Sequence, residues 1–175
     1  MLADSLSASA TLGPLLLLGL AATLAQQAPA PSPEVTLLQR FVGEWDAQVS
    51  FPGAPAIPGR SRMRLLEGGT WLVEDFEAEM RGAPFRGHGL FGWDAARKTW
   101  TSVWVDNMKG TLTTSTGAWD EQAGRFVLRA DMGTAAAPMP ARFTWAFEGK
   151  DAFTFTIAPE QEGAPAMMTI RYARR

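Results

Sequence analysis

The sequence RFTWAFEGKDAFTFTI, residues 142–157, decides the fold. Apolar and polar side chains alternate on both sides of the turn-forming run Glu148-Gly149-Lys150-Asp151. A period of two is typical of β-strands that bury one face and expose the other to water. Two such runs joined by a short, polar, Gly-containing connection predict an antiparallel hairpin.

The same alternation recurs along the rest of the chain. It covers Trp45 to Phe51, Trp100 to Trp104, Phe126 to Met132 and Met168 to Tyr172, and a short helix at Pro33 to Phe41 precedes it. Turn signals separate the runs at regular spacing, which gives about ten strands. Such short connections favour an up-and-down meander, and closure removes its two exposed edges. We predict an all-β, antiparallel up-and-down barrel.

The amino-terminal segment differs from the rest of the chain. Leu12 to Ala25 is almost wholly apolar, yet it is shorter than the roughly 20 residues that span a bilayer. It ends in Thr23-Leu24-Ala25, which resembles a small-x-small cleavage site. The segment before it contains Asp4 and neither Lys nor Arg, which is unusual for a signal peptide. An uncleaved membrane anchor and a misassigned start codon are the alternatives.

These features divide the chain into three parts. We interpret residues 1–25 as a signal peptide, residues 26–33 as a disordered linker and residues 34–175 as the β-barrel domain. The protein is therefore expected to be periplasmic or secreted. No integral membrane domain is expected after removal of the signal.

Composition excludes several classes of function. The chain has no Cys, which excludes thiol catalysis, zinc–thiolate sites and disulfides. A net charge of -2 argues against nucleic-acid binding. The sequence contains no His cluster, phosphate loop or Ser-His-Asp order, so we expect no metal, cofactor or catalytic residue.

Gly87-x-Gly89-x-x-Gly92 matches a dinucleotide fingerprint, but in strand-like sequence such glycines indicate a bend or close packing against a bulky neighbour.

One strand carries the strongest candidates for a ligand site. Trp100 and Trp104 flank Ser102, and Asp106 falls on the same face, just before the turn at residues 107–110. A carboxylate beside two tryptophans must find a partner, because burying a lone charge is costly. It either bonds the backbone amides of the turn or anchors the polar end of a ligand at a cavity mouth.

His88 and Arg64 complete the set of candidate ligand-binding residues. His88 is the only histidine, and a lone histidine can contact a ligand, bind haem or act as a base. It alternates with Phe85 and Phe91, so it faces solvent if the aromatic face is the core. Arg64 belongs to an alternating row that either fixes a ligand carboxylate inside the barrel or protects an edge strand. That row consists of Arg60, Arg62 and Arg64.

The next strand carries a row of carboxylates. Asp75, Glu77 and Glu79 share one face, with Glu74 on the other. Paired carboxylates can act on glycosidic bonds. Three on one face of a strand are more simply explained as a solvated surface.

Four segments, taken in order, resemble a known family. They are GGTWLVE (68–74), GHGLFGWD (87–94), WVDNM (104–108) and IRYAR (170–174). They resemble the bacterial domain-of-unknown-function family fifteen-seventy-nine, whose members usually have Tyr at the position of Trp93 and Ser at that of Asn107. Val42-Gly43-Glu44-Trp45 likewise resembles the opening of lipocalin-like barrels. The resemblance spans about Leu38 to Arg174 and implies a calycin-like barrel, but no activity.

Three hypotheses for the function follow. The first is an exported barrel that binds a small, largely apolar molecule. The second is a structural or protein-interaction barrel with a filled core. The third is an enzyme acting on a small molecule through Asp106 or His88, towards which the sequence leans least. Cavity size separates the first two, because ligand pockets measure about 300 Å³ or more.

Overall fold

A computed structural model describes residues 32–161 and 163–175. Ten strands form a closed barrel in which β10 pairs with β1 and every other neighbour in the sheet is a neighbour in the chain. Each pair is antiparallel, so the predicted up-and-down barrel of about ten strands is confirmed. The predicted signal peptide and most of the predicted linker lie outside the described residues.

The helix and strands follow one another without a crossover. Their bounds are α1 Pro33–Gln39, β1 Gly43–Ser50, β2 Ile57–Leu65, β3 Trp71–Met80, β4 Ala83–Asp94, β5 Thr99–Asp106, β6 Lys109–Asp120, β7 Arg125–Asp131, β8 Pro140–Phe147, β9 Ala152–Pro159 and β10 Met168–Arg174. No helix in the described part of the chain is long and apolar enough to cross a membrane.

Helix α1 begins where a capping residue meets a proline. The Ser32 hydroxyl accepts a hydrogen bond from the Val35 amide at 3.4 Å, and Pro33 occupies the first turn, where its missing N–H is not needed. The helix therefore starts one residue before the predicted domain boundary at Glu34. Leu38 and the following Phe41 are buried, and they close one end of the barrel.

The closed end is fastened around Trp45. Its indole N–H donates to the Phe41 carbonyl at 2.8 Å. The Arg174 guanidinium lies 4.2 Å from the centre of a Trp45 ring and donates to the carbonyls of Val42 and Arg40. These contacts tie the first and last strands to the segment that carries α1, as a cation over an indole and charge-assisted hydrogen bonds.

The core follows the predicted alternation. Trp45, Ala47 and Val49 point inward on β1, whereas Phe51, predicted in the same run, lies just beyond the strand and is exposed. The other predicted aromatic runs point inward on their own strands. The aromatic rings concentrate towards the closed end, where they contact one another edge to face or tilted. This cluster includes Phe41, Trp45, Phe91, Trp100, Trp119, Phe126, Phe147 and Phe153.

Closure corrects one expectation about β2. The strand pairs with β1 on one side and β3 on the other, so it is not an edge strand. The alternating arginines at 60, 62 and 64 do point outward, and their side chains are exposed. Protection of a free edge was therefore the wrong explanation for them, because a closed barrel has no edge to protect.

Candidate functional site

Trp104 packs across two glycines of the neighbouring strand. Register places Gly89 opposite Trp104 and Gly87 opposite Asp106. A Cβ at Gly87 would overlap the indole, and one at Gly89 would lie 3.3 Å from Trp104 Cε3. The glycines therefore make room for Trp104, and the expectation of close packing against a bulky neighbour is confirmed.

Asp106 holds both the turn and the indole. Its Oδ1 accepts the amides of Met108 and Lys109, each at 2.9 Å. Its Oδ2 accepts the Trp104 Nε1–H at 3.1 Å. The neighbouring Asn107 accepts from the Arg86 amide and donates to the Pro84 carbonyl, both at 2.9 Å. The segment at residues 104–108 thus fastens the β5–β6 turn to the start of β4.

The structure separates the other three sequence-predicted site residues from this pair. Trp100 shares the inward face but is 3% exposed and lies in the aromatic cluster of the closed end. His88 is on the outer surface, where Nδ1 lies 2.8 Å from Asp75 Oδ1. Arg64 is exposed on the same outer surface. Asp106 and His88 lie one register position apart but on opposite faces, so they do not form an acid–base pair.

A half-buried carboxyl group, to which the sequence analysis gave no role, lies on the inner face of β3. Glu74 Oε1 accepts the Ser61 hydroxyl at 2.8 Å and the Tyr172 hydroxyl at 3.1 Å. Burial raises the pKa of Glu74 from 4.5 to about 7, against the lowering effect of these two hydrogen bonds. Burial and the nearby carboxylate also raise the pKa of Tyr172, which therefore stays a hydroxyl donor.

A small cavity lies beside this carboxyl group. Its volume is about 40 Å³, and its polar lining comes from Glu74 and Ser102 among largely apolar neighbours. The apolar part of the lining includes Phe41, Met63, Leu72, Phe91 and Trp145. No described residue donates a hydrogen bond to Glu74 Oε2. This oxygen is therefore the atom that a ligand or a water molecule could contact. A volume of this size holds water, which needs about 10–15 Å³, and is far below that of a ligand pocket.

The alternation of inward and outward residues along β3 was the signal that could have identified Glu74 as an inward-facing residue. Leu72 and Phe76 are buried, and Glu74 lies between them on the same face. A carboxyl group in phase with two apolar neighbours must point inward. Asp75, Glu77 and Glu79 are out of phase and lie on the outer face, as predicted.

The outer face of β1 to β4 carries a groove of about 280 Å³. Cross-strand register aligns acids and bases alternately along it. One row across the four strands is Glu44, Arg62, Asp75 and His88, and the neighbouring row on the same face is Asp46, Arg60, Glu77 and Arg86. Opposite charges on facing positions stabilise a sheet modestly. Among the described residues, no cluster of three or more His, Asp or Glu side chains could hold a metal ion.

The comparison with family models assigns the chain to a family. Residues 30–174 match the model described as "Protein of unknown function (DUF1579)". The chain belongs to this family. The match covers the whole barrel and confirms the resemblance read from the four sequence segments.

A solved structure confirms the fold class. The S-type phycobiliprotein lyase from Guillardia theta is 12% identical and superposes with a TM-score of 0.51 over 82% of this chain and 94% of the lyase. A designed fluorescence-activating β-barrel is 12% identical, with a TM-score of 0.43 over 79% and 96% of the two chains. No curated protein matches the sequence. At this identity the likeness to the lyase shows the barrel fold and nothing of the activity.

Proposed function

We propose that this family member binds a small, largely apolar ligand inside the barrel, with Glu74 as its polar anchor. The observation that carries the proposal is that Glu74 lines a cavity among largely apolar side chains, while the hydrogen bonds it accepts from the described residues fall on Oε1 alone. Burying a carboxyl group lowers stability unless its bonding is complete. A core selected only for packing has no need of one, whereas buried groups with a displaced pKa are common at functional sites.

The open end is the proposed entrance. It lies opposite the end that α1 closes, and the half-buried Trp104 stands on its inner wall beside Gly87 and Gly89. The 40 Å³ cavity holds only water as the side chains stand. Binding therefore requires Trp104 and its neighbours to move outward, which exchanges their contacts for contacts with the ligand.

This arrangement revises the set of ligand-binding residues. Trp104 is retained as part of the entrance wall, and Asp106 acts by positioning it. Trp100 belongs to the closed end, and His88 and Arg64 lie outside the barrel, so none of these three contacts the proposed ligand. Glu74, Ser61 and Tyr172 take their place. The lyase named above has a similar fold, which agrees with small-molecule binding but does not establish it.

The small size of the cavity favours a second candidate function. A barrel filled by its own side chains would be a structural or protein-interaction module, and Glu74 would then bond only Ser61, Tyr172 and internal water.

The two functions differ in whether an apolar probe binds inside the barrel. We expect the neutral dye N-phenyl-1-naphthylamine to bind with enhanced fluorescence and one site per chain.

Substitutions locate the probe. Glu74→Leu and Trp104→Phe should change its affinity, whereas Leu112→Ser, at an exposed position that does not line the cavity, should not. Absence of a saturable site, or a site that responds only to Leu112→Ser, would favour the filled barrel.

We also propose that the protein works outside the cytoplasm, in the periplasm or after secretion. The support is the apolar segment at residues 12–25 and its small-x-small end. Cell fractionation followed by sequencing of the mature amino terminus tests this. A mature chain that begins just after Ala25 is expected, and full-length protein in the cytosol would contradict it.

A further inference from the structure

The two oxygens of the Glu74 carboxyl group have different surroundings. Oε1 accepts the hydroxyls of Ser61 from β2 and Tyr172 from β10, at 2.8 and 3.1 Å. Oε2 receives no hydrogen bond from the described residues. An oxygen that accepts two hydrogen bonds has both of its lone pairs occupied, so a proton on this carboxyl group resides on Oε2. Neutral Glu74 therefore carries an O–H donor on the oxygen that is left for a ligand.

No positive charge is placed to hold Glu74 in its ionised form. No basic side chain lines the cavity, and Glu74 makes no ion pair within the described part of the chain. Its hydrogen-bond partners are hydroxyls, and register places Gly89 of β4 between Glu74 and Trp104 of β5. Uncharged neighbours favour the neutral carboxyl group, because a buried charge without a counter-ion is costly.

Four charged or titratable groups near Glu74 do not change this balance. Asp75 follows it on β3 and carries a negative charge on the outer face, which opposes ionisation. Tyr172 stays a hydroxyl. Arg174 is in phase with Tyr172 on β10 but donates to backbone carbonyls at the closed end. Asp106, on the inner face of β5, is engaged by Trp104 and the β5–β6 turn. The balance agrees with the pKa of Glu74, which burial raises to about 7.

The other polar group of the cavity lining is also a hydroxyl. Ser102 Oγ lies 2.6 Å from Ser115 Oγ, across β5 and β6. One hydroxyl hydrogen lies between these two oxygens, and no described residue accepts the other. When Ser115 donates, the Ser102 hydrogen remains for a group in the cavity. A ligand that ends in an acceptor satisfies such donors, whereas a hydrocarbon leaves them unpaired.

We propose that the interior site takes a neutral, largely apolar molecule whose polar end is a hydrogen-bond acceptor, such as a ketone or ester carbonyl, and that Glu74 binds this end as a donor. The ligand class rests on the proposed function, because it concerns the same interior site. An anionic ligand would find no base there, and a cationic amine would need the ionised carboxylate. Ionisation of Glu74 replaces the donor by a negative charge, so the preference for an acceptor is lost as the pH rises above about 7.

Four naphthalenes of similar size test the ligand class. 2-Acetylnaphthalene carries a ketone, 2-ethylnaphthalene no polar group, 2-naphthoate an anion and 1-(2-naphthyl)ethylamine a cation. Equilibrium dialysis against the full-length protein at pH 5.5 and pH 8.5 gives the affinity of each. At pH 5.5 the ketone should bind roughly three- to ten-fold more tightly than the hydrocarbon, which is the effect of one hydrogen bond. This preference should be lost at pH 8.5.

Variants separate the hydrogen bond from the charge. Glu74→Gln keeps a carbonyl oxygen for Ser61 and Tyr172 and offers the ligand an N–H donor at every pH. It should therefore retain the ketone preference at both pH values, whereas Glu74→Leu should show no preference at either. Glu79→Gln, on the outer face of the same strand, is the matched control and should behave like the parent protein.

Two kinds of result would overturn the proposed ligand class. Saturable binding of ketone and hydrocarbon with equal affinity at pH 5.5, tightest binding of the anion or the amine, or a folded Glu74→Gln protein without the preference contradicts the donor role of Glu74 and leaves interior binding standing. Binding of none of the four naphthalenes contradicts the interior site itself, and the ligand class falls with it. The comparison of two pH values in the parent protein needs no substitution, so it decides the matter even where a variant fails to fold.

Discussion

Glu74 is the residue on which the functional account depends. It occupies a position where the strand pattern calls for an apolar side chain, and it has two hydroxyl donors on one oxygen and none on the other. Its raised pKa makes the free energy of unfolding depend on pH in a way that can be measured. Between the unfolded value of 4.5 and the folded value of about 7, the folded protein binds more protons than the unfolded chain.

We therefore expect the free energy of unfolding to fall as the pH rises from 4.5 to about 7. The Glu74 contribution to this fall is on the order of 3 kcal/mol, and it ends once the folded carboxyl group has ionised. Glu74→Gln should remove that contribution. Glu79→Gln, on the outer face of the same strand, is the control and should retain it. Urea unfolding at several pH values measures the effect, and identical profiles for all three proteins would refute burial of Glu74.

The contact between Gly87 and Trp104 gives a second residue-scale prediction. Gly87→Ala should lower the free energy of unfolding by about 1–3 kcal/mol, as expected when a well-packed core is overfilled. Gly110→Ala is the matched control, because a Cβ there meets nothing within 4 Å. Combining Gly87→Ala with Trp104→Leu should cost less than the sum of the single changes. Strict additivity in a thermal or urea double-mutant cycle would mean that the two side chains do not meet.

The β5–β6 hairpin shows how one short segment serves two purposes. Asp106 stabilises the turn through two amides and holds the indole of Trp104 in its position on the barrel wall. The sequence offered turn bonding and ligand anchoring as alternatives for this carboxylate. The geometry supplies the turn bonds and adds the bond to Trp104, which the sequence could not show because it depends on the indole rotamer.

Asp106→Asn should therefore act on stability first. The amide keeps the shape but weakens charge-assisted bonds to two backbone N–H groups, so the free energy of unfolding should drop by about 1–3 kcal/mol. Asp75→Asn, an exposed change on the outer face, should stay within about 0.5 kcal/mol of the parent protein. Fluorescence of Trp104 should also become more accessible to a quencher in Asp106→Asn. Unaltered stability would show that the turn does not depend on this carboxylate.

Strand alternation predicted the elements well, because a period of two reports directly which face is buried. It placed His88 outward and the aromatic runs inward without any structure. It also put Glu74 on the face opposite Asp75, Glu77 and Glu79, but no inward carboxyl group was inferred from its position between Leu72 and Phe76. It also failed to explain the arginines of β2, because an edge strand and a strand in a closed barrel have the same local pattern.

At the scale of the whole molecule, the described part of the chain is a barrel with one sealed end and one unsealed end. Helix α1, Phe41 and the Trp45–Arg174 contact seal the first, and no helix of the described chain covers the second. Aromatic rings fill the sealed half, whereas a carboxyl group, two hydroxyls and a small cavity lie in the interior beside them. The sealing of one end and the position of polar groups in the interior are properties of the assembled barrel. No single segment of the sequence displays them.

Native mass spectrometry tests the central claim most directly. The protein is purified without detergent from the cells that normally make it, beside its Glu74→Leu and Leu112→Ser variants. Interior binding predicts one additional small-molecule mass on the parent protein and on Leu112→Ser, lost on denaturation and absent or much reduced in Glu74→Leu. Unliganded protein in all three preparations, with Glu74→Leu folded and more stable than the parent, would contradict it and establish the filled barrel.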